Sequence, residues 1–373
     1  MHSIPKANKT SKKIFNVSGG FILPPFIVSC FSGFLHPEIF RGVTFLAIGF
    51  PFLLVAAFIW ILLAVCFFYQ KKWWLFLLLI PGLINISYTY PFRIKAGFEA
   101  SKDTNTLRVM SWNVNEFLFS KPGSNAWIYE QDEMLDFIKN SNADVLCFQD
   151  YIISPGYAER DVTRFISDSL GYKYFIFTMD GIDYGTIIFS KYPIINSGSK
   201  KYPQKIHPES LAFADIQFHE QPIRIFTTHF RSMFLHYNKL SPQTLGDLKY
   251  VKEDTALLFN TNILERMEHF DRVHTQQAFM VNQILSETRI PYIFCADLNA
   301  VPSSYVYQQL RKETKDAFLE AGAGLKGTYR SAKSLLRIDV ILTSKNLTTK
   351  QFYSPSLNLS DHYPLVADIS LSN

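Results

Sequence analysis

From Gly42 to Tyr69 the chain runs through 28 residues without one charged side chain, in a stretch dominated by Phe, Leu, Ile, Val and Ala. About 20 such residues span the hydrocarbon of a bilayer as a helix, so this run is expected to cross a membrane. Ile14–Phe34 is also uncharged, with Gly19, Gly20, Pro24 and Pro25 inside it as sources of a kink, and Leu75–Pro91 is a shorter third run broken by Pro81 and Gly82. Lys71, Lys72, Trp73 and Trp74 form a cationic and aromatic boundary between the second and third runs, as at a membrane–water interface. The expectation is two or three spans, with three favoured.

Charge is distributed to match. Residues 1–100 carry nine Lys or Arg against Glu38 and Glu99, a net of +7, and the other 273 residues hold 28 basic and 30 acidic groups, a net of −2. The basic character therefore belongs to the N-terminal part, and the near-neutral remainder gives no support for broad, non-specific nucleic-acid binding. Four lysines precede the first run, Arg41 alone lies in the first loop, and the Lys71/Lys72 pair lies in the second. The excess of cations at cytoplasmic loops then puts the N-terminus in the cytoplasm and the chain beyond Pro91 on the extracytoplasmic side. A cleavable signal competes for the first run, since Ile27-Val28-Ser29-Cys30 resembles a bacterial lipobox that would make Cys30 a lipidated N-terminus. Such short patterns also arise within apolar helices. Of the four cysteines, Cys30 and Cys66 lie in membrane-like runs and Cys147 and Cys295 in strand-like ones, which is not a disulfide framework.

Composition turns polar at 96–106, which reads as a linker. The expected organisation is a membrane region at 1–95, that linker, and one catalytic-type domain at 107–373. Within the last, Leu107–Trp112, Val145–Phe148, Thr186–Phe189, Leu211–Phe218, Ile223–Thr228, Tyr292–Ala296, Ile338–Leu342 and Leu365–Ile369 have strand character. Helical spacing occurs at Glu130–Asn140, Val162–Leu170 and His274–Thr288. Many strands with helices to cover them imply a layered α+β domain.

Polar clusters sit where five of these strands begin or end. Asn113 and Asn115 follow the first; a neutral amide can give an oxygen to a hard cation or an N–H to a phosphate, or simply make a turn. Asp150 emerges from Val145-Leu146-Cys147-Phe148-Gln149, as a ligand for Mg²⁺ or Mn²⁺ or as an ordinary surface or capping acid. His229 ends another strand, suited to charge stabilisation or to holding a carboxylate. Asp297 and Asn299 stand two residues apart on one side of an extended segment. Asp297 could orient or deprotonate a water, and an unpartnered carboxylate beside Cys295 would be costly to bury. Asp361 and His362 supply a candidate ligand or base and an imidazole, and Asp339 could accept the second ring N–H of His362. Acids, amides and imidazoles gathered at one sheet edge suit metal-assisted attack on a phosphate ester.

In this order, Ser111-Trp112-Asn113, Gln149-Asp150, Thr228-His229, Asp297-Leu298-Asn299 and Ser360-Asp361-His362, with Gly185-Thr186-Ile187-Ile188-Phe189-Ser190-Lys191-Tyr192-Pro193 as a central strand, resemble the endonuclease/exonuclease/phosphatase superfamily over about Leu107 to Leu371. That superfamily includes deoxyribonucleases, abasic-site endonucleases, inositol polyphosphate 5-phosphatases and bacterial sphingomyelinases. The resemblance implies a four-layer α/β/β/α sandwich, here preceded by a helical transmembrane region, and a divalent-metal site at one edge. It implies that Asp150, Asn113 and Asp361 hold or approach Mg²⁺, with Mn²⁺ as a substitute, and that Asp297 orients the water. It further implies that His362, Asn299 and Asn115 contact the phosphate, that Asp339 supports His362, and that His229 stabilises charge or protonates. Where the family usually has Glu, this chain has Asp150, one methylene shorter, which brings a metal nearer the strand or binds it through water.

The insert between His229 and the helix near His274, with Met233-Phe234-Leu235 and Leu257-Leu258-Phe259, either covers the site or touches lipid, or else forms amphipathic helices packed on the domain. The expected partners are a lipid bilayer and a phosphate-ester substrate, lipid or nucleic acid, with no protein partner legible. The first functional expectation is a membrane-anchored, metal-dependent phosphoesterase with a lipid head group slightly preferred. Its alternatives are a membrane-anchored nuclease and a non-catalytic binding protein that keeps the fold.

Overall fold

The structure is a computed structural model, and it describes residues 9–69, 72–91, 93, 97–117, 126–153, 161–180, 184–203, 208–233, 263–330 and 333–371. Most of the insert, including Phe234, Leu235 and Leu257-Leu258-Phe259, lies outside the described residues.

Two six-stranded mixed sheets make the body. The first has the order β11-β12-β1-β2-β4-β3, with β1 Leu107–Asn113, β2 Val145–Ile152, β3 Tyr174–Met179, β4 Tyr184–Ser190, β11 Leu347–Tyr353 and β12 Leu365–Leu371. The second has the order β5-β6-β7-β8-β10-β9, with β5 Ile194–Lys201, β6 Ser210–Phe218, β7 Gln221–His229, β8 Tyr292–Asp297, β9 Thr314–Asp316 and β10 Asp339–Ser344. Among the described residues, only β1 with β2 and β7 with β8 run parallel. Among helices of this part, α4 is Ala126–Ser141, α5 is Val162–Arg164 continuing as a π turn to Ser169, α6 is Ile263–Glu287, α7 is Tyr305–Arg311 and α8 is Ala317–Ala321.

Alternation along the strands builds three cores. Val109, Val145, Cys147 and Ile188 of the first sheet meet Ala212, Ile225, Cys295 and Ile341 of the second in the space between them. Met110, Leu146 and Phe148 face Met134, Leu135 and Ile138 of α4 on one outer side, and Phe226, Phe294 and Leu342 face Ala278, Val281 and Leu285 of α6 on the other. Central strands buried on both faces are apolar throughout, and this makes them readable. The α+β four-layer sandwich follows as expected. Four strands had no sequence signal: β3, β5, β9 and β11 lie at or next to sheet edges, and β5 is largely exposed and polar. Helices α7 and α8 are likewise too short to show a helical period.

Ahead of the sandwich, α1 (Lys9–Cys30) runs through Pro24 and Pro25, and α2 (Val43–Leu63) continues as a π turn to Phe68. A 3₁₀ stretch, Trp73–Leu79, leads into α3 (Ile80–Thr89). The helices Lys9–Cys30 and Val43–Phe68 are long and apolar enough to cross a membrane, and Trp73–Thr89 is a shorter apolar helix. Gly19 lets α1 close on α2, since a Cβ there would stand 2.4 Å from the Trp60 ring. The near end of this bundle docks on the sandwich. Thr44 Oγ1 donates to Asp271 Oδ1 at 2.5 Å, Ser303 Oγ to the Ala47 carbonyl at 2.7 Å and Ser32 Oγ to the Ser303 carbonyl at 2.7 Å. Ala47 then packs with Val301 and Ile338.

Candidate active site

The two parallel pairs send four strand C-termini to one edge of the sandwich, and β10 and β12 begin there. Backbone pairing sets the side chains in register: Asn113 lies opposite Gln149, while His229, Asp297 and Asp339 share one rung across β7, β8 and β10.

Asp150 reaches this edge through a local break in the pleat. In β2, Val145 and Cys147 point between the sheets and Leu146 and Phe148 toward α4. Strict alternation would send residue 150 toward the helix. The pairing with β4 shifts register between Phe148 and Tyr151, and Asp150 takes φ +47°. Gln149 stays fully buried between the sheets, donating to Thr227 Oγ1 at 2.9 Å, while Asp150 turns out at the edge. Asn115 at φ +44° and Asn299 at φ +47° are also left-handed. Asp and Asn tolerate that region best among residues with a Cβ, and such backbone strain concentrates at functional sites.

Hydrogen bonds and close charge contacts join the side chains. Asn113 Nδ2 donates to Asp150 Oδ2 at 2.9 Å and to Asp297 Oδ2 at 3.1 Å. His229 Nδ1 lies 3.1 Å from Asp150 Oδ1, and its Nε2 lies 3.5 Å from Asp297 Oδ2. Asn299 Nδ2 donates to the Phe230 carbonyl at 2.9 Å and stands 3.1 Å from His229 Nε2. His362 Nδ1 is 2.9 Å from Asp339 Oδ2 and its Nε2 is 3.6 Å from Asp297 Oδ2. The backbone around it is fixed: Trp112 Nε1 donates to the His362 carbonyl at 3.0 Å, and Ser360 Oγ donates to the Asn113 carbonyl at 2.8 Å.

Burial and crowding set the charges. Burial pushes the Asp297 carboxyl up to about 6, against the imidazolium of His362 and with the help of Asp339. Burial disfavours the charged form of His362, yet the carboxylates of Asp339 and Asp297 more than reverse this and hold it well above the ordinary imidazole range. His229 follows the same pattern, with burial opposed by Asp150 and then Asp297, and stands at about 10. Burial raises the Asp150 carboxyl, but His229 and Asn113 together leave it below its ordinary value.

Of the residues singled out in the sequence, Asn113, Asp150, His229, Asp297, Asn299, Asp339 and His362 belong to this network. Asn115 joins through its backbone, its N–H donating to Asn113 Oδ1 at 3.1 Å, and Asp361 accepts from Ser360 Oγ at 3.3 Å. Several supporting groups carry no sequence signal. Thr328 Oγ1 accepts from the N–H groups of Ile338 and Asp339, pinning the start of β10. Just beyond β7, the buried Arg231 pairs with Glu209 at 2.8 Å, and its place two residues after His229 was the only available hint.

Asp297, Asp339 and His362 bring one ligand atom each within 4.8 Å of one another. These three residues are at most 4% exposed and His362 already bonds Asp339, leaving little room for the water a Mg²⁺ ion retains. Asp150, with its side chain 29% exposed, offers two carboxylate oxygens that meet Asn113 Nδ2 and His229 Nδ1, and Asn113 Oδ1 is a further hard oxygen donor, taking the Asn115 N–H. That donor set fits a hard divalent cation.

A model of the Endonuclease/Exonuclease/phosphatase family matches residues 110–362. No curated protein matches the chain. Among solved structures, the human Nocturnin catalytic domain with bound sulfate anion is similar at TM-score 0.51 and 19% identity, over 72% of this chain and 94% of that one. D. rerio TDP2 complexed with single strand DNA product is similar at TM-score 0.51 and 17% identity, over 71% and 99%. An endonuclease/exonuclease/phosphatase from Bacteroides vulgatus is similar at TM-score 0.51 and 16% identity, over 72% and 99%. At these identities the likeness is one of fold.

Proposed function

The chain belongs to the endonuclease/exonuclease/phosphatase family and is a hydrolase of phosphate ester bonds, and from that premise we propose that it is a membrane-anchored, Mg²⁺-dependent phosphoesterase acting by in-line attack of water, with a lipid head group preferred as substrate. The observation that carries this reading is the cluster of seven polar side chains, from the ends of β1, β2, β7, β8 and β10 and the loops after β8 and before β12, linked by hydrogen bonds and close charge contacts.

Asp150 and Asn113, with Asp361 near them, would hold the cation, which neutralises charge on phosphate oxygens when bound. Asp297 orients the water and takes its proton; a carboxyl near 6 is largely ionised at neutral pH and still basic enough to serve. His362, kept protonated and oriented by Asp339, donates from Nε2 to a phosphoryl oxygen as charge grows there. Asn299 donates from Nδ2 to a second phosphate oxygen, and Asn115 is a further contact for it. His229 stabilises the same developing charge or protonates the leaving group.

We assign the membrane region to 1–95, the linker to 96–106 and the catalytic domain to 107–373. Three crossings are supported by the docking of residues 32–47 on the sandwich, and an extracytoplasmic domain by the lysines ahead of α1. The loop between α1 and α2 then shares a side with the domain, so the chain leaving α2 must cross once more. Seven residues of 3₁₀ helix and ten of α-helix in Trp73–Thr89 reach about 29 Å, close to the roughly 30 Å of hydrocarbon. An alkaline phosphatase fusion after Glu99 should be active; an inactive fusion on a folded anchor would reverse the assignment.

Purified full-length protein should turn over bis(p-nitrophenyl) phosphate, and a phospholipid faster than single-stranded DNA, with activity lost in EDTA and restored by Mg²⁺. Asp297→Asn and His362→Ala should each remove turnover. Absence of metal-dependent turnover on every class would favour the non-catalytic binding reading, and a preference for DNA would favour a nuclease.

A further inference from the structure

The docking of α2 leaves a cleft between its first turns and the segments that carry the site. Its walls include Thr44 and Ile48 of α2, Val301 on the loop after β8, and Tyr329 and Leu336 ahead of β10, and Asn299 closes its inner end. Tyr329 continues the path, with its ring 5.0 Å from that of His362. The cleft therefore reaches from Asn299 to a helix apolar enough to cross a bilayer.

Beyond the docked turn α2 turns apolar residues outward, with Phe52 59% and Val55 57% exposed. Next to the cleft in sequence, Ile39 is 74% and Leu335 56% exposed, as expected for side chains immersed in an apolar medium.

Resting on the phosphoesterase reading above, we propose that this cleft takes one hydrocarbon chain of a membrane phospholipid, so that the substrate enters laterally from the bilayer with its phosphate drawn up to Asn299 and His362. Apolar walls select the chain, and the narrow polar end admits the phosphate. No water-filled route to the site is then needed by the lipid's hydrocarbon.

The test uses the full chain in nanodiscs of phosphatidylethanolamine and phosphatidylglycerol doped with a phospholipid bearing a diazirine on its acyl chain. Photolysis and peptide mass spectrometry should find adducts at Val301, Tyr329 or Leu336, in addition to outward residues such as Phe52 and Val55, and the first group should vanish in Leu336→Trp. Adducts confined to outward residues of the helices would overturn the cleft assignment, whether or not any ester is hydrolysed. In parallel, the ratio of kcat/KM for nanodisc phospholipid to that for bis(p-nitrophenyl) phosphate should drop about tenfold in Ile48→Trp and Leu336→Trp, the worth of one to two methylene contacts. An unchanged ratio in both variants would also overturn it. Loss of all EDTA-sensitive turnover in the unmodified protein would count against the phosphoesterase reading instead, and the adduct map would still decide the cleft.

Discussion

Asp297 and Asp339 face each other directly across the antiparallel β8–β10 pair, with the His362 ring bridging them. Two carboxylates opposed in this way repel unless a proton or cation intervenes. Here the imidazole intervenes, and Asp297 itself is held near 6.

Asp339→Asn keeps the shape and removes one charge from that arrangement. We expect the His362 imidazole to become less basic and kcat to fall roughly 10- to 100-fold, the usual cost of losing a carboxylate that orients a functional histidine. Steady-state kinetics on a soluble diester, with an NMR titration of His362, would read both; unchanged values for the two would remove Asp339 from the positioning role.

At Asp150 the question is metal rather than proton. Asp150→Ala should raise the Mg²⁺ concentration for half-maximal activity at least tenfold, whereas Asp150→Glu should still respond to the metal because it keeps the oxygen donor. A Mg²⁺ titration of each purified variant is sufficient. Equal metal dependence in the alanine variant and the parent would move the cation elsewhere in the network.

Asp180 lies on a different wall, taking a hydrogen bond from Ser210. Burial lifts its carboxyl to about 7, with the Ser210 hydrogen bond opposing and Glu209 adding to the shift. The folded value stands above the roughly 3.9 of an unfolded chain, so folding takes up a proton. Stability from this group is greatest in acid and declines as pH rises from about 4 through about 7, by up to about 4 kcal/mol. Asp180→Asn should therefore raise the melting temperature at pH 8 relative to the parent and make little difference at pH 4. A gain that is the same at both pH values would show that the carboxyl is not protonated in the fold.

Arg108 and Asp368 form a bidentate pair at 2.6 and 2.9 Å with almost no exposure. The guanidinium also donates to the carbonyls of Glu99, Ala100 and Ser141, tying the linker to the first sheet. Asp368→Asn leaves that cation buried without its counter-charge and should cost about 3–5 kcal/mol. Denaturant unfolding would measure it, and a loss under 1 kcal/mol would mean that water or another acid takes over.

The central strands could be read from sequence because they are buried on both faces, and a polar group directly after an apolar run, such as Asp297 after Tyr292–Ala296, stands out for the same reason. Edge strands gave no such contrast; β5 reads Ile-Ile-Asn-Ser-Gly-Ser-Lys-Lys and looks like a loop. The polar clusters predicted which groups would gather, but the bulge that aims Asp150 depends on pairing with β4, which no local pattern encodes. Least legible was the docking of the N-terminal helices, because it depends on Thr44 meeting Asp271 and Ala47 meeting Ser303, partners more than 200 positions apart.

That docking has a bearing on what proteolysis would do to the protein. Ala47 covers Val301 and Ile338, which flank Asn299 and Asp339. Severing the chain near residue 100 and washing away the N-terminal helices would strip an apolar wall from beside Asn299 and Asp339 and bare Val301 and Ile338 to water.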